Sequence, residues 1–210
     1  MMLTFPGRRR LMNSQISLAE IKSEFPALFC FEEIFAEFER LLGMNTSVEE
    51  LFRRNFFQVS TAVLHLAEKV RLKKPEVDDI LKLLEDEQLH DVDEFEDSQE
   101  DKAIVAISVL PHLLETRSKS DDYKLVHIVQ EDDASIFVKQ LSPDPCIIVT
   151  GCLEMPDEIS VAADKQIVCC TAGRSVLDAF LCLMAVCYVF LLDYPVAAKN
   201  VCVYLQKCIL

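Results

Sequence analysis

Apolar residues recur at helical spacing through the first third of the chain. Ser17 precedes Leu18, Ile21 and Phe25, and Glu20 follows it by three, the capping-box arrangement that opens a helix. Pro26 ends that helix, because proline has no amide proton to donate. Phe31, Ile34, Phe35, Phe38, Leu41 and Leu42 then follow i, i+3, i+4, i+7 spacing up to Gly43, a predicted C-cap. Ser47 with Glu50 makes a second capping box, opening a helix along Val48, Leu51, Phe52, Phe56, Val59, Val63, Leu66 and Val70. Pro75 suits the first turn of another, carrying Val77, Ile80, Leu81 and Leu84. These faces predict a small helical bundle.

After Leu84 the pattern breaks. Ten of the seventeen residues from Glu85 to Asp101 are acidic, which marks the best domain boundary in the chain. Ile104 to Leu114 is apolar, and residues 116–122 read as an exposed loop. Strand-like runs follow at Leu125–Val129 and Cys146–Thr150. Ile159–Ala163 and Gln166–Cys170 flank Asp164-Lys165 as a tight hairpin would. A helix fits residues 132–141, and the chain is helical again after Gly173, broken at Pro195 and resuming from Val196 to Leu210. The predicted fold is α+β, mainly α: an N-terminal helical bundle followed by a small α/β region with few short strands. Its predicted division is a flexible leader over 1–13, a helical region over 14–86, an acidic linker over 87–101 and an α/β region over 102–210 ending in two apolar helices.

One segment bears on where the protein resides. Val176 to Leu192 is seventeen residues with a single charge, Asp178. As a helix it rises about 25 Å, against a hydrocarbon thickness of ~30 Å. A charge near the bilayer centre costs up to ~3 kcal/mol. No Lys or Arg cluster flanks the segment and the chain has no Trp to anchor it. The reading is therefore a buried core helix, with a membrane anchor as the alternative.

Composition narrows the chemistry. The chain has 210 residues, a net charge of −14 and 51% hydrophobic residues. Residues 1–101 hold 12 basic and 22 acidic residues against 9 and 13 after them, so most of the acidic surplus sits in the first half. That balance argues against nucleic-acid binding, which needs clustered cations. The basic clusters Arg8-Arg9-Arg10 and Lys69, Arg71, Lys73, Lys74 read as a terminus and helix ends. Four glycines, none closely spaced, leave no phosphate-cradling loop. Eight of nine cysteines follow residue 145 in apolar surroundings, with no C-x-x-C pair. Reduced, buried thiols of an intracellular, cytoplasmic or nuclear protein are expected.

Each candidate motif has a plainer reading. Asp91 to Asp97 offers calcium-type carboxylates, but Glu96 takes the EF-hand glycine position and Lys102 the bidentate glutamate position, so a solvated linker fits better. Gly173-Arg174-Ser175-Val176-Leu177 resembles a nucleophile elbow with Leu177 in place of the second glycine. His65, His90, His112 and His127 all precede the serine, contrary to the hydrolase order. Ser175 reads as an N-cap, with Asp178 adding favourable charge at the helix start. Cys146 or Cys152 could lie near His127, yet nothing in the sequence selects them over inert thiols. Zinc-ligand spacing is missing. Ile104-Val105-Ala106-Ile107 reads either as a segment that adds a strand to a partner's sheet or as a buried helix.

Several segments together resemble a fish family described as sterile alpha motif domain-containing protein 3-like. They are Arg9-Arg10-Leu11-Met12, Ile16–Ile21 with Phe25-Pro26-Ala27-Leu28, Phe38-Glu39-Arg40, and Ala106–Leu114 with Thr116-Arg117-Ser118-Lys119. Leu125–Val129, Pro145–Gly151, Asp178-Ala179-Phe180 and Tyr194 complete the set. The resemblance implies no enzymatic activity, and it places the chain downstream of the sterile alpha motif itself. It also implies a more polar, aromatic helix where this chain has Cys182–Leu192, and a continuation past Leu210.

The expectation is a non-enzymatic intracellular interaction or regulatory module with a protein partner. No catalytic, metal or cofactor residues are assigned. The alternatives are a membrane-associated protein anchored by 176–192 and, remotely, a hydrolase or thiol enzyme using Ser175 or Cys152.

Overall fold

The computed structural model describes residues 5–14, 16–87, 97–114, 124–129, 134–151, 156–171 and 173–209. The chain is α+β, mainly α. Six helices come first: α1 (Phe5–Met12), α2 (Leu18–Glu24), α3 (Phe31–Leu42), α4 (Val48–Val70), α5 (Pro75–Glu87) and α6 (Asp97–Leu113). After them run β1 (Val126–Val129), the short α7 (Ala134–Phe137), β2 (Cys146–Gly151), β3 (Pro156–Ala163), β4 (Gln166–Cys170), α8 (Val176–Phe190) and α9 (Lys199–Gln206).

The helix ends follow local chemistry. The Ser17 hydroxyl accepts from the Glu20 amide, and the Glu20 carboxylate accepts in return from the Ser17 amide at 2.8 Å. Ser47 accepts from the Glu50 amide in the same way at α4. Gly43 closes α3 at φ 63°, and the Met44 amide reaches back to the Glu39 carbonyl, so the last carbonyls are satisfied. Pro26 follows α2 and opens a 3₁₀ turn over Pro26–Phe29.

Two expectations about the chain's organisation change. The segment 1–13 is helical over Phe5–Met12 rather than a flexible leader. Met12 is buried, and the Arg9 guanidinium donates to the Val189 carbonyl at 2.5 Å, tying the helix to the C-terminal end of α8. The acidic stretch 87–101 is likewise helical from Asp97 onward, where α6 begins; residues 88–96 lie outside the described residues. Ile104 to Ile107 sit inside α6, and Val105, Ala106 and Ile107 are buried, so the buried-helix reading of this segment holds.

The sheet has the order β1-β2-β3-β4. β1 runs parallel to β2 in the register Val126↔Ile147, while β2–β3 and β3–β4 are antiparallel. The β3–β4 hairpin turns at Asp164 and Lys165, both at positive φ (51° and 60°), which matches the handedness a two-residue hairpin requires. Alternate residues face opposite ways. Ile147, Val149, Ile159 and Val161 join the main core, while Cys146, Ile148 and Ala162 meet Val138 in a smaller cluster on the other face.

The main core is continuous from Met12 to Ile209. Helix α8 lies at its centre, against β2 and β3 on one side and α3, α4, α6 and α9 elsewhere. Every α8 residue except Tyr188 is buried. Phe29 packs against Phe190 with its ring tilted and the centroids 4.9 Å apart, and Phe38 meets Tyr188 at 5.3 Å. Helices on both sides of the acidic stretch thus bury their faces in one core. Among the described residues, no helix is long and apolar enough to cross a membrane.

Candidate functional site

The densest polar cluster sits where α8 begins. Ser175 holds the N-cap position of α8; its amide donates to the Asp178 carboxylate at 3.2 Å and its hydroxyl does so at 3.3 Å, so it is the Asp178 side chain that reaches back to the helix start. Asp178 is buried, and one oxygen takes the Arg53 guanidinium at 2.5 Å. Arg53 projects from the first half of α4 and also bonds Glu100 of α6 at 2.7 Å. Burial lowers the Arg53 pKa, but hydrogen bonds and charge from Glu100 and Asp178 outweigh it and hold the pKa above its ordinary value. Next to it, Arg174 bonds Glu49 at 3.2 Å and lies 4.0 Å over the Phe31 ring. One patch of charge therefore joins α3, α4, α6 and α8.

What can this arrangement do? The Ser175 hydroxyl is spent on Asp178 and lies at the edge of hydrogen-bond reach, 3.5 Å, from Arg53. Arginine stays protonated and cannot act as a base for a serine. Asp178 touches the hydroxyl directly, with no imidazole between them. The cluster is a clamp rather than a nucleophile with its base.

Several buried cysteines are held as thiols. Burial pushes Cys146 up to about 12, with the charge of Asp144 adding to it, and pushes Cys202 to about 12 and Cys208 to about 11. Burial also raises Cys187 strongly. A thiolate is the nucleophile, so these shifts oppose thiol chemistry. The Cys182 thiol lies 3.3 Å from that of Cys169. Cys30 and Cys170 are exposed. Cys152 and His90 lie outside the described residues.

His127 lies on β1 with its ring edge-on to Phe137 at 5.4 Å, and desolvation lowers its pKa below the ordinary value. Cys146 begins the neighbouring strand, but there Ile148 is the residue paired with His127. The carboxylates of 91–96 lie outside the described residues. Among the described residues, no group of three or more His, Cys, Asp or Glu side chains could hold a metal ion. Of the basic clusters, Arg8 pairs with Glu37 at 2.7 Å and Arg71 with Asp78 at 2.5 Å, so both are engaged in the fold.

Several apolar side chains are exposed, Leu66, Ile136, Leu191, Val196 and Val203 among them. β1 stands at the end of the sheet and leaves Ile128 54% exposed. Leu72 is fully exposed in the 3₁₀ turn after α4. Arg53 and the β1 edge escaped the sequence reading. Arg53 is one of many charges on a helical face, and its main partner is 125 positions away. The edge depends on strand order, which local pattern does not encode.

No protein-family model, curated protein or solved structure matches the chain.

Proposed function

We propose that this protein is a non-enzymatic, intracellular interaction or regulatory module that docks an extended segment of a protein partner along β1. The observation that carries the reading is the position of β1. Among the described residues it ends the sheet, with β2 paired along one side and no strand along the other. A strand in that position offers backbone N–H and C=O groups to a further strand, and the exposed Ile128 side chain supplies apolar contact beside them. The groups best suited to chemistry, Ser175, Asp178, Arg53 and Arg174, are meanwhile engaged in joining helices. The resemblance to the sterile alpha motif domain-containing protein 3-like family forms part of the same proposal, since it implies no enzymatic activity.

The test is a photo-reactive residue placed at the exposed position 124, just before β1, of the full chain in cells, with and without Ile128→Lys in an affinity-capture format. Loss of a captured partner in Ile128→Lys, with circular dichroism and melting unchanged, is the expected result. Undiminished capture by that variant overturns docking at β1.

The membrane-anchored alternative rests on the apolarity of 176–192. It would require α8 to leave the sheet and helices that cover it. Retention of the full chain in carbonate-washed membranes, with release by detergent, would make that reading primary.

A further inference from the structure

We propose that Cys169 and Cys182 form an oxidative modification site, at which a small hydroperoxide converts two thiols into one disulfide tying β4 to α8. The two sulfurs lie 3.3 Å apart in the core, on residues 13 positions apart in the chain. Cys169 sits on the face of β4 that enters the main core, and Cys182 sits within α8. A disulfide needs a separation of about 2.05 Å, so the sulfurs must close by roughly 1.2 Å. A movement of that size is on the scale of rotation about the two Cα–Cβ bonds. Cys170, the next residue, points to the opposite face and is exposed, so the strand's alternation separates the pair from its neighbour.

The chemistry balances in two steps. One cysteine sulfur attacks the distal oxygen of the hydroperoxide; the O–O bond breaks, and the departing alkoxide leaves as an alcohol with the thiol proton. The sulfenic acid so formed is attacked by the second sulfur. Its S–O bond breaks, and hydroxide leaves as water with the second thiol proton. Two thiols lose two electrons, and the hydroperoxide becomes an alcohol and water. Cys169 takes the first step, because β4 is a terminal strand and Cys182 lies deeper in α8. The hydrogen bond to Cys169 and burial both hold Cys182 as a thiol. The reaction is accordingly slow and responds to sustained oxidant.

The experiment uses the reduced full chain carrying Cys170→Ser and Cys187→Ser, treated with hydrogen peroxide in native buffer. These replacements leave one cysteine in each of the two tryptic peptides concerned. A non-reducing peptide map is expected to show residues 166–174 linked to 175–199, lighter than the two reduced peptides together by two hydrogens. Closing a loop of this length is expected to raise Tm by about 5 °C, reversibly with a reductant. Cys182→Ser in the same background is expected to lose both signals. Two outcomes overturn the proposal: unlinked peptides once Cys30 is fully oxidised, or a link that forms only in urea. If Cys182→Ser does not fold, the map of the parent decides alone, since that protein keeps both thiols.

Discussion

Asp178 and Arg53 show how a single charge is tolerated inside an otherwise apolar helix. A carboxylate at this depth is costly unless paired, and Arg53 meets it from another helix at 2.5 Å. The pair is better evidence of position than of net stability, because desolvation offsets much of its attraction. Removing one partner is another matter. Arg53→Ala leaves Asp178 buried without its arginine and is expected to cost about 2 kcal/mol in urea unfolding, less than a fully buried pair because Arg53 is partly exposed. Asp178→Asn in the same protein is expected to recover part of that loss. Equal losses from the two variants, simply added in the double, would show that the residues act independently.

His127 gives a pH dependence with a definite sign. Desolvation lowers its folded pKa below the ordinary 6.5, so the unfolded chain binds a proton more readily. Its contribution is present above about pH 6.5 and fades as pH falls from there toward the folded pKa. Denaturation midpoints measured from pH 7 to pH 5 are expected to fall more steeply for the native sequence than for His127→Gln. The direct check is an imidazole titration by NMR with its midpoint below 6.5.

At the scale of elements, caps and turns were legible because their chemistry is local. Ser17 with Glu20, Gly43, and the strands around Asp164-Lys165 are each specified within a few residues. The hairpin also carries a visible cost: Lys165 sits at φ 60°, where a side chain crowds the backbone. Lys165→Gly produces the Asp-Gly pair this turn prefers and is expected to stabilise the protein by about 0.5 kcal/mol, seen as a higher urea midpoint at unchanged m. Helix α1 was not legible. Its sequence, FPGRRRLM, is poor in apolar residues; the structure pins it through Met12 in the core and Arg9 on the Val189 carbonyl. The start of α6 was missed because a run of acidic residues reads as solvated linker wherever its neighbours are unknown.

Across the whole molecule, the continuous core makes α8 the element that every layer shares. A domain boundary at the acidic stretch would predict two unfolding events. One core predicts one cooperative transition. The buried Cys187 and Cys202 thiols are therefore expected to become reactive over the same urea range in which helical circular dichroism is lost; exposure of those thiols at lower urea would show that the C-terminal half opens separately.

Sequence alone determined what depends on neighbours along the chain: helix and strand periods, caps, the hairpin turn, and an apolar segment too short for a comfortable span. It narrowed Val176–Leu192 to two environments without choosing a position for it, because hydrophobicity is non-directional and records only aversion to water. Tertiary structure placed a sheet against α8 on one side and α3, α4, α6 and α9 around the rest, so the helix is apolar all round for want of a wet face. It also brought Arg53 to Asp178 across 125 residues and left β1 at the end of the sheet. Those pairings follow from chain topology and layer packing, which no local period encodes.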